Sequence, residues 1–258
     1  MSEVLQRLGR IAQSHSVDQV WDLAVEYFRT LGFSRVNYGY TRFRTEKSIG
    51  DPDDALYLST NTPDYARLYF HNGFYARTPM YRWVTRHVGT CTWRWVQEAY
   101  EAGTLPPDEA DAVRTNLAMG VVAGISVSFP ETSPRSKGAL GLIADIGLDH
   151  DDVDAILARH GEELMAVADM MHLKITQLPL TTRRRNLTDR QREALEWVAD
   201  GKTSQDIALL MGVSTAMVEK HLRLAREALD VETTAQAVAK GALLNKIFLG
   251  SDPLRVTG

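Results

Sequence analysis

Apolar and polar positions change period several times along the chain, and each change marks an element. Ser16-Val17-Asp18-Gln19 has the form of a capping box, in which a hydroxyl and a carboxamide satisfy the first free N–H groups of a helix. Val20, Ala24, Phe28 and Leu31 follow at helical spacing, and Gly32 stands where a left-handed cap ends the helix. Val36, Tyr38 and Tyr40 then alternate with Arg35, Asn37 and Gly39, the period of a half-buried strand. Thr62-Pro63-Asp64 and Thr78-Pro79 are both helix starts with proline at the first helical position, and Gly73 is a stop for the earlier one. Residues 90–95 predict a strand and 107–119 a helix. Residues 123–129 and 139–146 predict two more strands, joined by a loop rich in Pro, Ser and Gly over 130–138. A long helix over 151–173 closes this part. Helices mixed with a hairpin, rather than a regular strand–helix alternation, predict an α+β fold here: an α-β-α sandwich around a mostly antiparallel sheet.

Residues 176–186 carry Pro179 and the run Arg183-Arg184-Arg185 without apolar periodicity, and predict a linker between domains at 1–175 and 187–250. Leu187-Thr188-Asp189 opens a helix containing Ala194, Leu195 and Val198, which stops at Asp200-Gly201. A short helix over 204–211 is separated by Gly212-Val213 from a longer one capped by Ser214. In that longer helix Val218, Leu222, Ala225 and Leu229 form one apolar stripe. The other face carries Glu219, Lys220, Arg223 and Arg226 and stays free. A short helix, a tight turn and a basic-faced helix make a helix-turn-helix candidate whose second helix fits a major groove. A last helix over 234–246, alanine-rich on one side, completes an all-α, four-helix domain and offers a dimer surface.

Composition changes this picture little. With 44% hydrophobic and 24% charged residues the chain is an ordinary globular protein, and 258 residues favour two domains over one. No apolar run approaches the roughly 20 residues that span a bilayer, and the N-terminus lacks a secretory core, so a cytoplasmic location without membrane attachment is expected. The single cysteine, Cys91, excludes an internal disulfide and a cysteine metal cluster, and no cofactor is expected. A net charge of −4 argues against a protein that coats nucleic acid indiscriminately, but Lys220, Arg223 and Arg226 concentrate positive charge on one late helix. Catalysis has no visible machinery: there is no Gly-rich phosphate loop, no nucleophile elbow and no cluster of His and carboxylate ligands. The order of elements also lacks the alternating β/α units of a phosphorylated receiver domain.

The string Leu187-Thr188-Asp189-Arg190-Gln191-Arg192-Glu193-Ala194-Leu195 closely resembles the DNA-binding domain of the LuxR family, as do Trp197, Ala199, Gly201-Lys202-Thr203, Asp206-Ile207-Ala208, Val213-Ser214, Val218 and His221 after it. Gln191 and Asp206 stand where that family favours other residues, without threatening the fold. The resemblance implies double-stranded DNA as partner, contacted from Lys202, Thr203, Thr215, Glu219, Lys220, Arg223 and Arg226. Glu219 can accept from a cytosine amino group, or can form a surface ion pair with Arg223 four residues on. Lys202, Thr203, Lys220 and Arg226 suit phosphate contacts, which position without reading sequence. His221 suits packing or a phosphate contact better than a switch.

The N-terminal part resembles the quorum-sensing branch of the same family, which binds acyl-homoserine lactones. Tyr65, Tyr69, Thr78-Pro79, Trp93 and Gly124 fall at the spacing of that branch's Trp, Tyr, Asp-Pro, Trp and Gly. The resemblance implies a homodimer with a ligand pocket touched by Tyr65, Tyr69, Thr78, Trp93 and Ser126. Tyr65 and Thr78 replace the tryptophan and aspartate that grip the polar head of the lactone. A neutral hydroxyl in place of the carboxylate forfeits a charge-assisted bond of roughly 1.5–3 kcal/mol. Thr78 also reads as a plain N-cap, Tyr65 and Tyr69 as core packing, Trp93 as a core strand residue and Ser126 as a surface hydroxyl. The expected mechanism is a population shift. A small organic signal completes the N-terminal core and stabilises a dimer whose two helix-turn-helix modules meet an inverted-repeat operator, with RNA polymerase a further partner. The rival is an orphan regulator that is ligand-independent or answers a non-lactone ligand.

Overall fold

The computed structural model describes residues 3–45, 48–131 and 133–248. The chain divides into two compact units. The first holds Asp18–Lys174 with the residues up to Ser14, and the second holds the chain from Ile175 onward together with His15–Val17.

The first unit is built on a five-stranded sheet of order β2-β1-β5-β4-β3, comprising β1 Arg35–Thr41, β2 Leu56–Ser59, β3 Gly89–Thr92, β4 Gly124–Ser128 and β5 Lys137–Ile143. All four pairings are antiparallel. Register gives the two faces different characters. Tyr38 lies opposite Leu140, which lies opposite Val127, while Val36, Leu142 and Ile125 form the next row. This bulky face packs under α2 (Val17–Thr30) and α7 (His150–Gln177), where Trp21 meets the Tyr38 ring at 6.4 Å and the Tyr38 hydroxyl bonds His172 Nδ1 at 2.8 Å. The other face lies under α4 (Pro79–Arg86), tied down by the Ser128 hydroxyl donating to the Val84 carbonyl at 2.9 Å. Helices therefore cover both faces, as the α-β-α expectation requires. A separate helix, α1 (Glu3–Gln13), is pinned to α2 by the buried Arg7, whose guanidinium reaches the Leu23 carbonyl and Glu26.

Three sequence expectations change in this unit. The strand predicted over 90–95 ends at Thr92; Trp93 takes the N-cap position of α5 (Arg94–Glu101), and Arg94 is fixed by Asp151 and Asp154 at 2.6 and 2.5 Å. Trp93 is thus a core residue at a strand–helix junction rather than within a strand. The helix started by Thr62 is short, α3 Pro63–Ala66 followed by one π-type turn over Arg67–His71, before Gly73 turns the chain with φ +69°. The last strand stops at Ile143 instead of 146. Helix α6, Pro107–Ala118, falls where the sequence places it.

The second unit is helical: α8 Asp189–Ala199, α9 Ser204–Met211, α10 Thr215–Leu229 and α11 Thr234–Leu243. Each begins at a Thr or Ser N-cap, and α8, α9 and α11 close full capping boxes with Gln191, Asp206 and Gln236. Gly212, at φ +66°, makes the turn between α9 and α10. The stripe Val218, Leu222, Ala225 and Leu229 is buried, against a core that includes Leu195, Ile207 and Met211. Helix α11 ends at Leu243, short of 246, because Asn245 adopts φ +54° and turns its carboxamide onto the Thr176 and Leu178 carbonyls at 2.8 and 2.9 Å. Through these bonds, the Leu180–Leu244 backbone bond, the Lys246–Thr182 contact and the Arg184–Asp230 ion pair, much of the stretch over 176–186 lies along the helical unit.

Candidate ligand cavity and DNA-contact face

The sheet face under α4 is lined by small side chains, and that is why it is hollow. Asn37 lies opposite Gly141, which lies opposite Ser126, and Gly39 lies opposite Ala139. A Cβ added to Gly39 or Gly141 would come no nearer than 3.6 Å to any neighbour, so these glycines leave space rather than relieve a clash. The result is a cavity of about 110 Å3, well above the roughly 10–15 Å3 that one water occupies. Its walls are largely aromatic and apolar: Tyr57, Tyr69, Phe70, Tyr75, Met80, Tyr81 and Trp93.

Three of the five residues expected at a ligand line this cavity together: Tyr69, Trp93 and Ser126. Ser126 is 2% exposed, and its oxygen accepts the indole N–H of Trp93 at 2.9 Å. Among the described residues its own proton meets no acceptor, so it is a donor available to an occupant. The surface reading of Ser126 is thereby corrected. Gly124 has a different reason to be glycine: a Cβ there would lie 2.3 Å from the Leu142 carbonyl oxygen and 2.7 Å from the Trp93 ring.

Tyr65 and Thr78 stand behind the wall rather than in it. The Tyr65 ring stacks on Tyr69 with centroids 5.6 Å apart and planes within 12°, and its phenol is pushed up to about 12 by burial, with Arg35 and a hydrogen bond to Asn37 opposing. Thr78 is 1% exposed and caps α4, its oxygen accepting the Tyr81 N–H at 3.2 Å and its proton going to the Tyr75 carbonyl at 2.7 Å. The Tyr69 phenol, raised well above its ordinary value by burial, also bonds Thr78. Thr78 therefore has no proton left for a ligand and orients Tyr69 instead. Sequence reasoning missed Asn37, Gly39 and Gly141 at the floor. Their signal is the alternation of small with large residues in Asn37-Tyr38-Gly39-Tyr40 and Ala139-Leu140-Gly141-Leu142.

In the helical unit, Thr215, Glu219, Lys220 and Arg223 are exposed along one face of α10, and Lys202 and Thr203 are exposed at the start of α9. Glu219 does not pair with Arg223. Its carboxylate receives the Ser204 hydroxyl of α9 at 2.6 Å, while Arg223 bonds Glu227 at 2.5 Å. Arg226 differs from its neighbours: half-buried, it donates to the Thr234 hydroxyl of α11 at 2.9 Å. The Thr203 hydroxyl is engaged in the α9 capping box, and its bonds hold the Asp206 carboxyl below the ordinary range. His221 is half-buried on α10.

A sensor-like unit with a cavity on one sheet face and a helix-turn-helix unit whose α10 exposes Lys220 and Arg223 define a ligand-regulated DNA-binding protein as the class. Residues 16–175 match the family described as the autoinducer binding domain, and residues 177–229 match that described as sigma-70, region 4. The chain is 30% identical over 207 residues, 79% of each chain, to the HTH-type quorum sensing-dependent transcriptional regulator RpaR of Rhodopseudomonas palustris. It is 24% identical over 204 residues, 78% of each, to the transcriptional activator LuxR of Aliivibrio fischeri. The fold matches the crystal structure of Escherichia coli SdiA with a TM-score of 0.52 at 16% identity, over 95% of this chain and 98% of that one. The chain belongs to the LuxR family of quorum-sensing transcriptional regulators, with an autoinducer-binding domain and a helix-turn-helix DNA-binding domain.

Proposed function

We propose that this regulator senses a small organic signal in the sheet-face cavity of its N-terminal domain, residues 1–175, and transmits occupancy to operator binding by residues 187–250. The observation that carries this reading is the Ser126 hydroxyl, buried at the cavity wall beside Trp93 with its proton uncommitted among the described residues. An acyl-homoserine lactone fits that chemistry: Ser126 donates to a carbonyl, and the aromatic walls take the acyl chain. Tyr69 lines the wall, and Tyr65 and Thr78 act from behind it by holding the Tyr69 ring in position. Because Thr78 and Tyr65 spend their polar groups inside the protein, a signal gripped mainly by Ser126 and aromatic contact, including a non-lactone ligand, is the second reading.

Occupancy stabilises the folded chain by mass action, and a homodimer sets two recognition helices over an inverted repeat. In each, Thr215, Glu219 and Arg223 face the groove, while Lys202 and Lys220 contact phosphate; Thr203, its donors spent on Asp206, contributes by capping α9, and Arg226 by fixing α10 to α11. RNA polymerase is a further partner on the DNA. No helix of the described residues is long and apolar enough to cross a membrane.

The test is melting of the purified full-length chain against a panel of acyl- and aryl-homoserine lactones and unrelated small signals. A concentration-dependent rise in Tm that is lost in Ser126→Ala supports the cavity as the sensor. No shift with any member, together with operator binding that needs no ligand, overturns it.

A further inference from the structure

The sheet-face cavity has two chemically different ends. One holds the neutral hydroxyl of Ser126 beside Trp93; the other is walled by Arg44 and Lys137, and among the described residues no carboxylate lines the cavity at all. Lys137 pairs with Thr41, four residues along β5 from the Gly141 that lies opposite Ser126. Its ammonium is already engaged, with the Ser128 hydroxyl oxygen at 2.6 Å and the Phe129 and His87 carbonyls at 3.4 and 3.5 Å. Arg44 is not. Its Nη2 donates to the carbonyl of Thr85 at 2.9 Å, which sets the guanidinium against α4, where Thr85 and Tyr81, one turn apart, both line the cavity. The Tyr81 phenol, raised by burial and by Tyr75, is drawn back by the Arg44 charge, which places that charge on the same wall. A guanidinium has five N–H donors, and among the described residues the side chain of Arg44 meets only the Thr85 carbonyl and forms no ion pair. The nearest acid acting on this end, Glu131, lies 3.3 Å from His172 and pairs with neither cation. A half-buried charge is costly without a partner, and here two cations share one end of an apolar cavity without one.

We propose that Arg44 anchors the far end of the signal, and that the signal is an anion: a carbonyl-bearing head at Ser126, an apolar body over the sheet floor, and a terminal carboxylate received by the Arg44 fork. The inference rests on this cavity being the sensor and adds the charge of what it senses. A planar guanidinium presents paired N–H groups that match the two oxygens of a carboxylate, which gives geometry as well as attraction. Lys137, its protons spent, adds positive charge beside that fork without competing for the same oxygens. Between the ends the walls are Tyr57, Phe70, Met80 and Leu140 with the glycine floor, which suits a hydrocarbon body. Ser128, two residues beyond Ser126 on β4, bonds the Val84 carbonyl next to Thr85, and Lys137 is four rows away; the ends are therefore roughly 7–13 Å apart, a span that a chain of about eight carbons covers.

N-octanoyl-homoserine lactone and the N-suberoyl monoamide of homoserine lactone share head and chain length and differ only at the last carbon, a methyl in one and a carboxylate in the other. Their affinities for the full-length protein are measured by isothermal titration calorimetry in the wild type, in Arg44→Met and in Arg135→Met. Arg135 is an exposed cation next to Arg44 that does not line the cavity, so its variant controls for general surface charge. The wild type binds the suberoyl probe about tenfold more tightly than the octanoyl one, Arg44→Met reverses that order, and Arg135→Met keeps it. A wild type that binds the octanoyl probe as tightly or more tightly, a carboxylate preference that survives Arg44→Met, or one that Arg135→Met abolishes equally overturns the proposal. Should Arg44→Met fail to fold, the order of the two probes in the wild type and in Arg135→Met decides alone. Octanoyl binding without a carboxylate preference overturns the anchor and leaves the cavity as the sensor of a neutral signal; binding of neither probe overturns the anchor, and the melting panel then decides the sensor reading separately.

Discussion

The Thr78 hydroxyl oxygen accepts the backbone N–H of Tyr81 at 3.2 Å, which makes it the cap of α4. Thr78→Val keeps the volume and loses the cap and the tether on Tyr69, so unfolding free energy falls by roughly 0.5–2 kcal/mol. Thr78→Asp keeps an acceptor for Tyr81 and has lone pairs left over. Its expected behaviour is near-normal stability with a larger melting shift on adding N-hexanoyl-homoserine lactone. Urea melts with and without that lactone check both variants, and an Asp variant with no added shift would mean that position 78 serves only as a cap.

Gly124→Ala is expected to be far more damaging than its size suggests. The new methyl meets a backbone carbonyl, which cannot rotate away, and the edge of Trp93. Overpacking of this kind costs about 1–3 kcal/mol, and displacement of Trp93 also disturbs Ser126. Equilibrium denaturation followed by tryptophan fluorescence reads the first effect, and loss of any ligand-induced shift reads the second.

Much of this was legible in the residues. The helical unit could be read from Thr188, Thr203, Ser214 and Gly212 because caps and a left-handed turn are local chemistry, complete within four or five residues. The sandwich was legible from the alternation around Tyr38 and the hairpin of β4 and β5. What escaped was set by distant partners. Trp93 ends a strand because Arg94 is held by Asp151 and Asp154 across the fold, and no local signal announces that. Strand β2 is four residues at the sheet edge, with Leu56-Tyr57-Leu58 giving no alternation. The spacing of Glu219 and Arg223 allows an ion pair as well as a base contact, and packing of α9 on α10 brings Ser204, not Arg223, to the carboxylate. Candidate cavity residues were visible where they are large; the glycines that hollow the floor were read only as strand positions.

The two arginines of α10 separate by function. Arg223 is exposed and bonded only to an exposed Glu227, so Arg223→Ala leaves Tm unchanged and weakens operator binding roughly 10- to 100-fold. Arg226 ties α10 to Thr234, so Arg226→Ala lowers Tm as well as affinity. Melting curves and gel-shift titrations on the same preparations distinguish them, and equal Tm values for the two variants would count against a structural role for Arg226.

Acid sensitivity should trace in part to His150. Burial, and then Arg94, depress its folded value below the ordinary 6.5, while Asp154, Asp149 and Asp151 work the other way without overcoming them. The unfolded chain therefore binds this proton more tightly than the folded one. Stability is fully present above pH 6.5 and is lost as pH falls from there through the depressed value. His150→Gln keeps a polar group of similar reach that does not titrate, so its unfolding free energy varies less with pH below 6.5 than that of the wild type, and the two profiles run parallel above it. Urea midpoints measured across that interval decide the matter: profiles that stay parallel on the acid side would mean that His150 is not the group protonated on unfolding.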